Sequence, residues 1–481
     1  MKLSGSYEQN LKIMDKLVSG DPTIKIRNFE AQAAPRLRCR LYFSDGLVSS
    51  QLITEGLIKP IVSYRGEVPR ENVLDYLGLV VLHLPEIKAA TETDDMIAAL
   101  AYGDGLLFAE GQEGCLIVGC KSFAYRSISE PDDEKVAKGP KEGFVEPLMI
   151  NISMLKRRLR TSKLKIEMTT LGSKSNTSCC ICYLDDVVDR DVLSEVKRSI
   201  DAIEMDGVLG SSYVEEMTSK GPFSIFRRAG STARPDAAAA KLLEGRVVVL
   251  VDGTPEAMTA PFVFLEHFQS PEDYYVSYYH AVFSRFLRMI GFFIAISLVP
   301  VYIAILDYHP GSLSVKMITN IAQAQEATPF SAVSEALILL LSFDLLREAG
   351  LRTPASVGQT LSIVGALVLG QSAVEANIVS PAMLIVVALS GVTGLITNNL
   401  KNQIIILRLV LIAFANYAGL WGFVMGLSLI LGRLAVIESF GVDYLTSMPA
   451  IAQGSHEDSL MRVPLKFMKK GGRFIARGEK R

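Results

Sequence analysis

The sequence predicts an α/β soluble head of two subdomains followed by an all-α integral membrane domain, with about four spanning helices plus a short re-entrant or interfacial helix. Two observations carry that expectation. Up to about residue 285 strand-like and helix-like pieces alternate with mixed charge, and beyond it long runs carry no ionisable side chain. The first run, 289–306, reads MIGFFIAISLVPVYIAIL, and its 18 residues at ~1.5 Å each nearly span a hydrocarbon core of ~30 Å. Runs at 355–374, 378–397 and 409–432 follow, and four in series argue against buried core helices of a soluble protein.

The chain has 481 residues, 49% hydrophobic and 21% charged, enough for about three domains. We divide it into a first α/β subdomain (1–150), a second (151–260), an aromatic approach to the membrane (261–288), the transmembrane helices (289–432) and a basic cytoplasmic tail (433–481). The formal net charge of −2 gives no global field for nucleic acid. Locally, residues 443–481 hold eight Lys/Arg against four Asp/Glu, which suits an anionic membrane surface or a solvated end. The opening MKLSGSYEQNLKIMDK has no apolar core of the kind a secretory signal needs, so the head is expected to stay in the cytoplasm.

In the first subdomain, 38–43 and 114–118 read as strands and 93–102 as a helix capped by Thr93. The stretch 129–143, SEPDDEKVAKGPKEG, reads as a loop. In the second, 164–171 and 178–184 are strands joined by the polar turn GSKSNT, and 189–204 is a helix with Val192, Val196, Ile200 and Ile203 on one face and Asp189 as its cap. The run RVVVLV (246–251), bounded by Glu244-Gly245 and Asp252-Gly253, predicts a strand buried on both faces. No repeat period of the solenoid or propeller kind is visible.

Phe264, Phe268, Tyr274 and Tyr275 belong to a dense aromatic stretch just before the first spanning run. Their rings suit a headgroup layer or a protein core beneath the head, and the sequence leaves both open. Between the first two spans, 329–347 has an uncharged core of only 8 residues (336–343), which suits a re-entrant or interfacial helix. Arg285 and Arg288 before the first span and the basic tail after the last put both ends inside, so the number of crossings is expected to be even. That assignment leaves Arg347, Arg352, Lys401 and Arg408 near the outer side.

No phosphate loop, HExxH or GxSxG motif is present, and the five histidines are scattered singly, so no enzyme activity, cofactor or metal is expected. The CCIC cluster at Cys179–Cys182 lies inside an apolar strand pattern with no second cysteine pair at zinc-like spacing, which favours cysteine acting as a small hydrophobe. The polar residues that stand out are in the membrane part: Glu335 beside the short helix, and Glu375 and Asn377 between two apolar runs. Ionisable groups there cost ~2.5–3.5 kcal/mol unless they meet water or a partner, which makes these three the pore or gating candidates; a solvated interfacial turn is the alternative for Glu375. Ser362, Ala366 and Gly370, and the pair Gly422 and Gly426, supply small faces for close helix packing.

Several blocks in order resemble the A-subunit family of spore germination receptors, the GerA family, or its close paralogue encoded with the dipicolinate-channel proteins. They are GPKEGFVEPLMINISMLKRRLR (139–160), RPD (234–236), EGRVVVLVDGTPEAMTAPFVFLEHFQSPEDYY (244–275), LLREAGLRTPASVGQTLSIVGALVLGQSAVEANIVSP (345–381) and SFGVDYL (439–445). The resemblance implies an integral protein of the spore inner membrane with its head on the cytoplasmic side. It implies oligomerisation into a gated ion channel, and work alongside a transporter-like B subunit and a lipoprotein C subunit. A secondary transporter with a soluble regulatory head is the alternative, although four spans without an inverted repeat favour it less.

Overall fold

The computed structural model describes residues 3, 6–19, 21, 23–34, 36–45, 47–69, 72–122, 127–131, 134–219, 224–353, 370–445, 462, 464 and 466. The chain forms two compact units, Met1–Arg126 and Ser127–Arg481. The expected boundary at residue 150 therefore moves to 126. The reason is local: the 129–143 stretch packs on the second sheet, where Arg234 donates to the Pro140 carbonyl (2.6 Å) and Phe144 N donates to Ala233 O (2.8 Å).

The first unit is one antiparallel sheet between two layers of helix. Its strands β1 (Ile24–Ala31), β2 (Leu37–Ser44), β3 (Ile87–Ala90), β4 (Gly105–Ala109) and β5 (Cys115–Val118) pair in the order β1-β2-β4-β5-β3. Helices α1 (Tyr7–Val18) and α4 (Thr93–Ala101) cover one face with Leu11, Met14, Met96 and Leu100. The other face is covered by α2 (Lys59–Ser63), α3 (Val73–Tyr76) and the wide helical turns Leu52–Ile58 and Leu77–Val81, through Leu57, Ile61, Leu74 and Leu77. Thr93 is the first residue of its helix and not the cap, a place taken by Glu92.

The head of the second unit repeats this plan. Strands β6 (Leu164–Leu171), β7 (Thr177–Leu184), β8 (Gly230–Thr232), β9 (Val247–Val251) and β10 (Ala257–Ala260) pair in the order β6-β7-β9-β10-β8, again antiparallel. Helices α5 (Leu148–Arg158) and α8 (Pro235–Leu243) lie on one face, and α6 (Arg190–Asp201) with α7 (Ser211–Met217) on the other. This duplication left no trace as a sequence period, because strand order is set by which apolar faces meet and not by residue identity. Alternation along β7 explains its cysteines: Cys179, Ile181 and Tyr183 enter the α6 side, and Cys180, Cys182 and Leu184 the α5 side. β9 is buried on both faces for the same reason, as its unbroken apolar run predicts. Asp189 caps α6 by accepting from Asp191 N and Val192 N, and Val192, Val196 and Ile200 face the core.

The helical part begins with α9 (Tyr278–Tyr308), followed by α10 (Val315–Glu326), α11 (Ala332–Arg352), α12 (Pro381–Ile396) and α13 (Lys401–Val436). By length and composition α9 and α13 are apolar and long enough to cross a membrane. α12 runs antiparallel to α9: Gly291 lies against Thr393, the Ser390 hydroxyl donates to Ala295 O (2.8 Å), and Met383 and Val387 meet Val299 and Ile303. Ala336 and Leu340 of α11 join that last cluster while Phe343 touches Gly391, so α11 runs from the far end back toward the head.

Two expected elements change. The segment at 329–347 becomes a helix of 21 residues, Ala332–Arg352, because its charges find partners: Arg347 pairs with Asp344 (3.2 Å), Arg352 with Glu348 (2.7 Å), and Arg408 reaches Asp344 (3.5 Å). The run at 409–432 is not one rod. Its helix breaks at Ala418 and Gly419, Gly419 having φ +59°, which is unstrained only for glycine. Gly422 then lies against the Phe414 carbonyl and Gly426 against Leu411 and Phe414. In a continuous helix Leu411 and Gly426 would be ~22 Å apart, so α13 is a hairpin of two arms. Most of the run at 355–374, with Ser362 and Ala366, lies outside the described residues, as does most of the basic tail.

Candidate functional site

The site is the junction where the head meets its helices. After β10 the chain makes two tight turns, Phe264–Phe268 and Pro271–Tyr274, before α9 starts. Glu266 lies buried in the first turn. Its Oε1 accepts from Val263 N (2.7 Å) and from the guanidinium of Arg246, at the head of β9, and its Oε2 accepts from Lys241 of α8. Burial opposes ionisation of this carboxyl, but Arg246 and Lys241 overcome it and hold the group at about 2. Arg246 also donates to Pro261 O (2.8 Å), the kind of added hydrogen bond a buried ion pair requires.

In the second turn Asp273 clamps α9. Its Oδ2 accepts from Arg285 Nε (2.9 Å) and Arg288 Nη2 (2.6 Å), and Arg288 Nε donates to Phe268 O (2.7 Å). Arg462, from the tail, donates to the Asp273 carbonyl oxygen. The chain that leaves α13 returns to the same place. The Ser439 hydroxyl accepts from Phe262 N (2.9 Å) and donates to Arg228 O, Tyr444 O accepts from Phe264 N (2.9 Å), and the Tyr444 hydroxyl bonds His267 Nε2 (2.8 Å). Burial pushes the His267 imidazole down to about 3, so it is neutral and structural. Both ends of the helical part are thus fixed to one small region of the head.

Three adjoining cavities of 270, 340 and 280 Å³ open beside this junction, and Glu134 and Asn399 line all three. The largest brings Arg227, Glu256 and His267 of the head against Lys401, Asn402 and Gln403 at the start of α13. Burial raises the Glu134 carboxyl, although Thr232 Oγ1 (2.8 Å) and Ala233 N (3.0 Å) donate to it. Behind the same wall, burial raises Glu215 to about 7 against the opposing charge of Arg227. Among the described residues no group of three His, Cys, Asp or Glu is placed to hold a metal ion, and the six cysteines are buried free thiols.

The residues singled out by sequence separate into two places. Phe264 and Phe268 are buried in the junction, packed on each other and on Phe292 (centroids 5.5, 6.1 and 5.6 Å), so these rings meet protein; Tyr274 is half-buried and Tyr275 is exposed. At the far end of the bundle Glu335 bonds Ser380, which follows Asn377 by three residues and Glu375 by five. Glu335 is fully buried, with one oxygen on Ser380 N, the cap of α12, and the other without a hydrogen-bond partner among the described residues. Glu375 is exposed and accepts from Gln371 (2.8 Å), and Asn377 is exposed with φ +55°, as a turn residue. Sequence reasoning missed Arg246, Glu266 and Asp273 because charges inside apolar or aromatic runs read as punctuation. The signal was there for Arg246 alone, in the charged pair Glu244 and Arg246 just ahead of an otherwise apolar strand.

The sequence pattern of the family described as Bacillus/Clostridium GerA spore germination protein matches residues 12–474. The chain is 35% identical over 464 residues to spore germination protein KA of Bacillus subtilis (strain 168), covering 96% of this chain and 85% of that one. It is 31% identical to spore germination protein B1 of the same organism over 98% of this chain and 97% of the relative. The crystal structure of the N-terminal domain of the A subunit of the Bacillus megaterium spore germinant receptor GerK3 is 24% identical and aligns with 55% of this chain and 98% of its own, at a TM-score of 0.22, which fixes no shared arrangement.

Proposed function

The chain belongs to the GerA spore germination protein family, and from that premise we propose that it is a membrane subunit of a spore germination receptor complex, assembling with further copies into a gated ion channel. The observation that carries this reading is the junction. Buried ion pairs tie the head to α9 and buried hydrogen bonds tie it to the chain leaving α13, so a change of shape in the head is delivered to α9 through Asp273 and to α13 through Ser439 and Tyr444. In this reading the helices lie in the spore inner membrane and the head faces the cytoplasm. The hairpin supports that orientation: Arg285, Arg288, Arg347, Arg352, Lys401 and Arg433 all fall at the head end, where positive charge marks the inside. In this reading α9 starts and α13 ends on that side, which supports an even number of crossings.

Within an assembly, Glu335, Glu375 and Asn377 are the proposed pore or gating residues, at the mouth away from the head. A transporter-like B subunit and a lipoprotein C subunit are the proposed partners. The test is electrical recording from the purified chain in planar bilayers, alone and with its partner subunits. Unitary currents are expected, with cation selectivity altered by Glu375→Gln; a bilayer that stays silent under both conditions overturns the channel reading.

A further inference from the structure

We propose that the 340 Å³ cavity between β8, α7 and the start of α13 holds the headgroup of a membrane lipid, a phosphate diester that carries a primary ammonium. The proposal rests on the placement of the helices in a membrane and not on conduction. Three groups in the lining are incompletely matched. Lys401, the first residue of α13, makes no ion pair among the described residues, and neither does Glu256, which accepts from the Ser231 hydroxyl (2.8 Å). Gln403 is only 5% exposed, and its amide makes no hydrogen bond among the described residues. That amide lines the cavity and is not among the polar atoms sealed from it. A nearly buried amide left without a partner favours a ligand that supplies one.

The charges select the class of ligand. Lys401 and Arg227 stand in the lining with Glu134 and Glu256, so a simple anion would meet the carboxyls and a simple cation would meet the basic pair. A phosphate with an attached ammonium answers both signs, and Gln403 can donate to the one and accept from the other. The neighbouring 280 Å³ cavity selects the source. It shares Glu134, His267 and Asn399 with the first and extends to Ile396 and Thr397, where α12 ends. From there an exposed apolar stripe, Ile385, Leu389, Val392 and Leu395, lies along α12 at helical spacing. Ile385 and Leu395 are ~15 Å apart along the axis, half of a ~30 Å hydrocarbon core, which is the reach of one acyl chain. A soluble zwitterion would leave that stripe uncovered, whereas a lipid covers it while its headgroup enters the polar cavity.

The test is titration of the full-length chain in detergent with phosphatidylethanolamine, read by native mass spectrometry. Phosphatidylcholine and phosphatidylglycerol of the same acyl chains, and soluble glycerophosphoethanolamine, are run beside it. Phosphatidylethanolamine is expected to bind about tenfold or more tightly than phosphatidylcholine, which keeps the phosphate but has no N–H donor. Glu256→Gln is expected to erase that preference, and Lys401→Gln to weaken both lipids. Ser212→Trp fills the cavity from the exposed side of α7 without touching a charge. It is expected to abolish selective binding with the fold intact, which keeps the test decisive if Glu256→Gln fails to fold. Equal binding of the three lipids, an unchanged preference in Ser212→Trp or folded Glu256→Gln, or equally tight glycerophosphoethanolamine overturns the proposal. Flotation with phosphatidylcholine vesicles tests the membrane placement separately. A chain that floats without headgroup preference overturns this proposal alone, and a chain that stays in solution overturns the placement on which it rests.

Discussion

Arg285 of α9 donates its Nε to Asp273 Oδ2 at 2.9 Å, with both side chains almost wholly buried, so the first turns of the longest unbroken apolar helix among the described residues rest on one carboxylate of the head. Arg288 shares that carboxylate, which means a single atom group positions two cations at the start of the membrane part.

Removing that carboxylate is therefore expected to be costly. Asp273→Ala strands two guanidinium groups, and breaking a buried pair from one side typically costs about 3–5 kcal/mol. Thermal unfolding of the full chain in detergent should show a clearly lowered midpoint, and a midpoint equal to wild type would mean the clamp contributes nothing.

Val249 sits in the centre of β9 with neither face exposed. Val249→Asp places an unpaired carboxylate in that core, with an expected loss above ~3 kcal/mol. Accumulation of the chain and its melting curve report it.

Two carboxyls give opposite dependence on pH. Glu266, held at about 2 in the fold, contributes stability that is complete above its unfolded value and is lost as pH falls through about 2, on the order of 3 kcal/mol. Glu215, raised to about 7, binds its proton more tightly when folded, so stability falls as pH rises from about 4.5 to about 7. Glu215→Gln should flatten the upper limb and raise the denaturation midpoint at pH 8. A variant whose pH profile overlays that of wild type would show that Glu215 is solvated.

The hairpin makes a topological prediction. In a cysteine-free background, single cysteines at Ala418 and Asn399 should differ in intact cells: an impermeant thiol reagent modifies the first, at the tip between the arms, and spares the second, at the head end. A straight 409–432 span, entered from the outer side, would hold residue 418 in mid-membrane and expose residue 399, reversing the pattern.

Amino-acid order alone determined the elements whose burial pattern is local. The apolar runs of β7 and β9, the capped amphipathic α6, and the change to uncharged sequence after residue 285 are each legible because period and charge report the solvent on each side of a segment. The ordered family blocks gave the kinship for the same reason, since identity is written along the chain. Tertiary structure alone decided where that chain turns back and which distant charges meet. Gly419 is one glycine among 37, and only the approach of Gly422 and Gly426 to the preceding arm shows that it reverses the helix. Arg246 and Glu266 are 20 residues apart, and Ser439 and Phe262 are 177 apart. Their pairing depends on two sheet strands and a returning helix reaching the same point, a long-range condition that no local pattern of residues encodes.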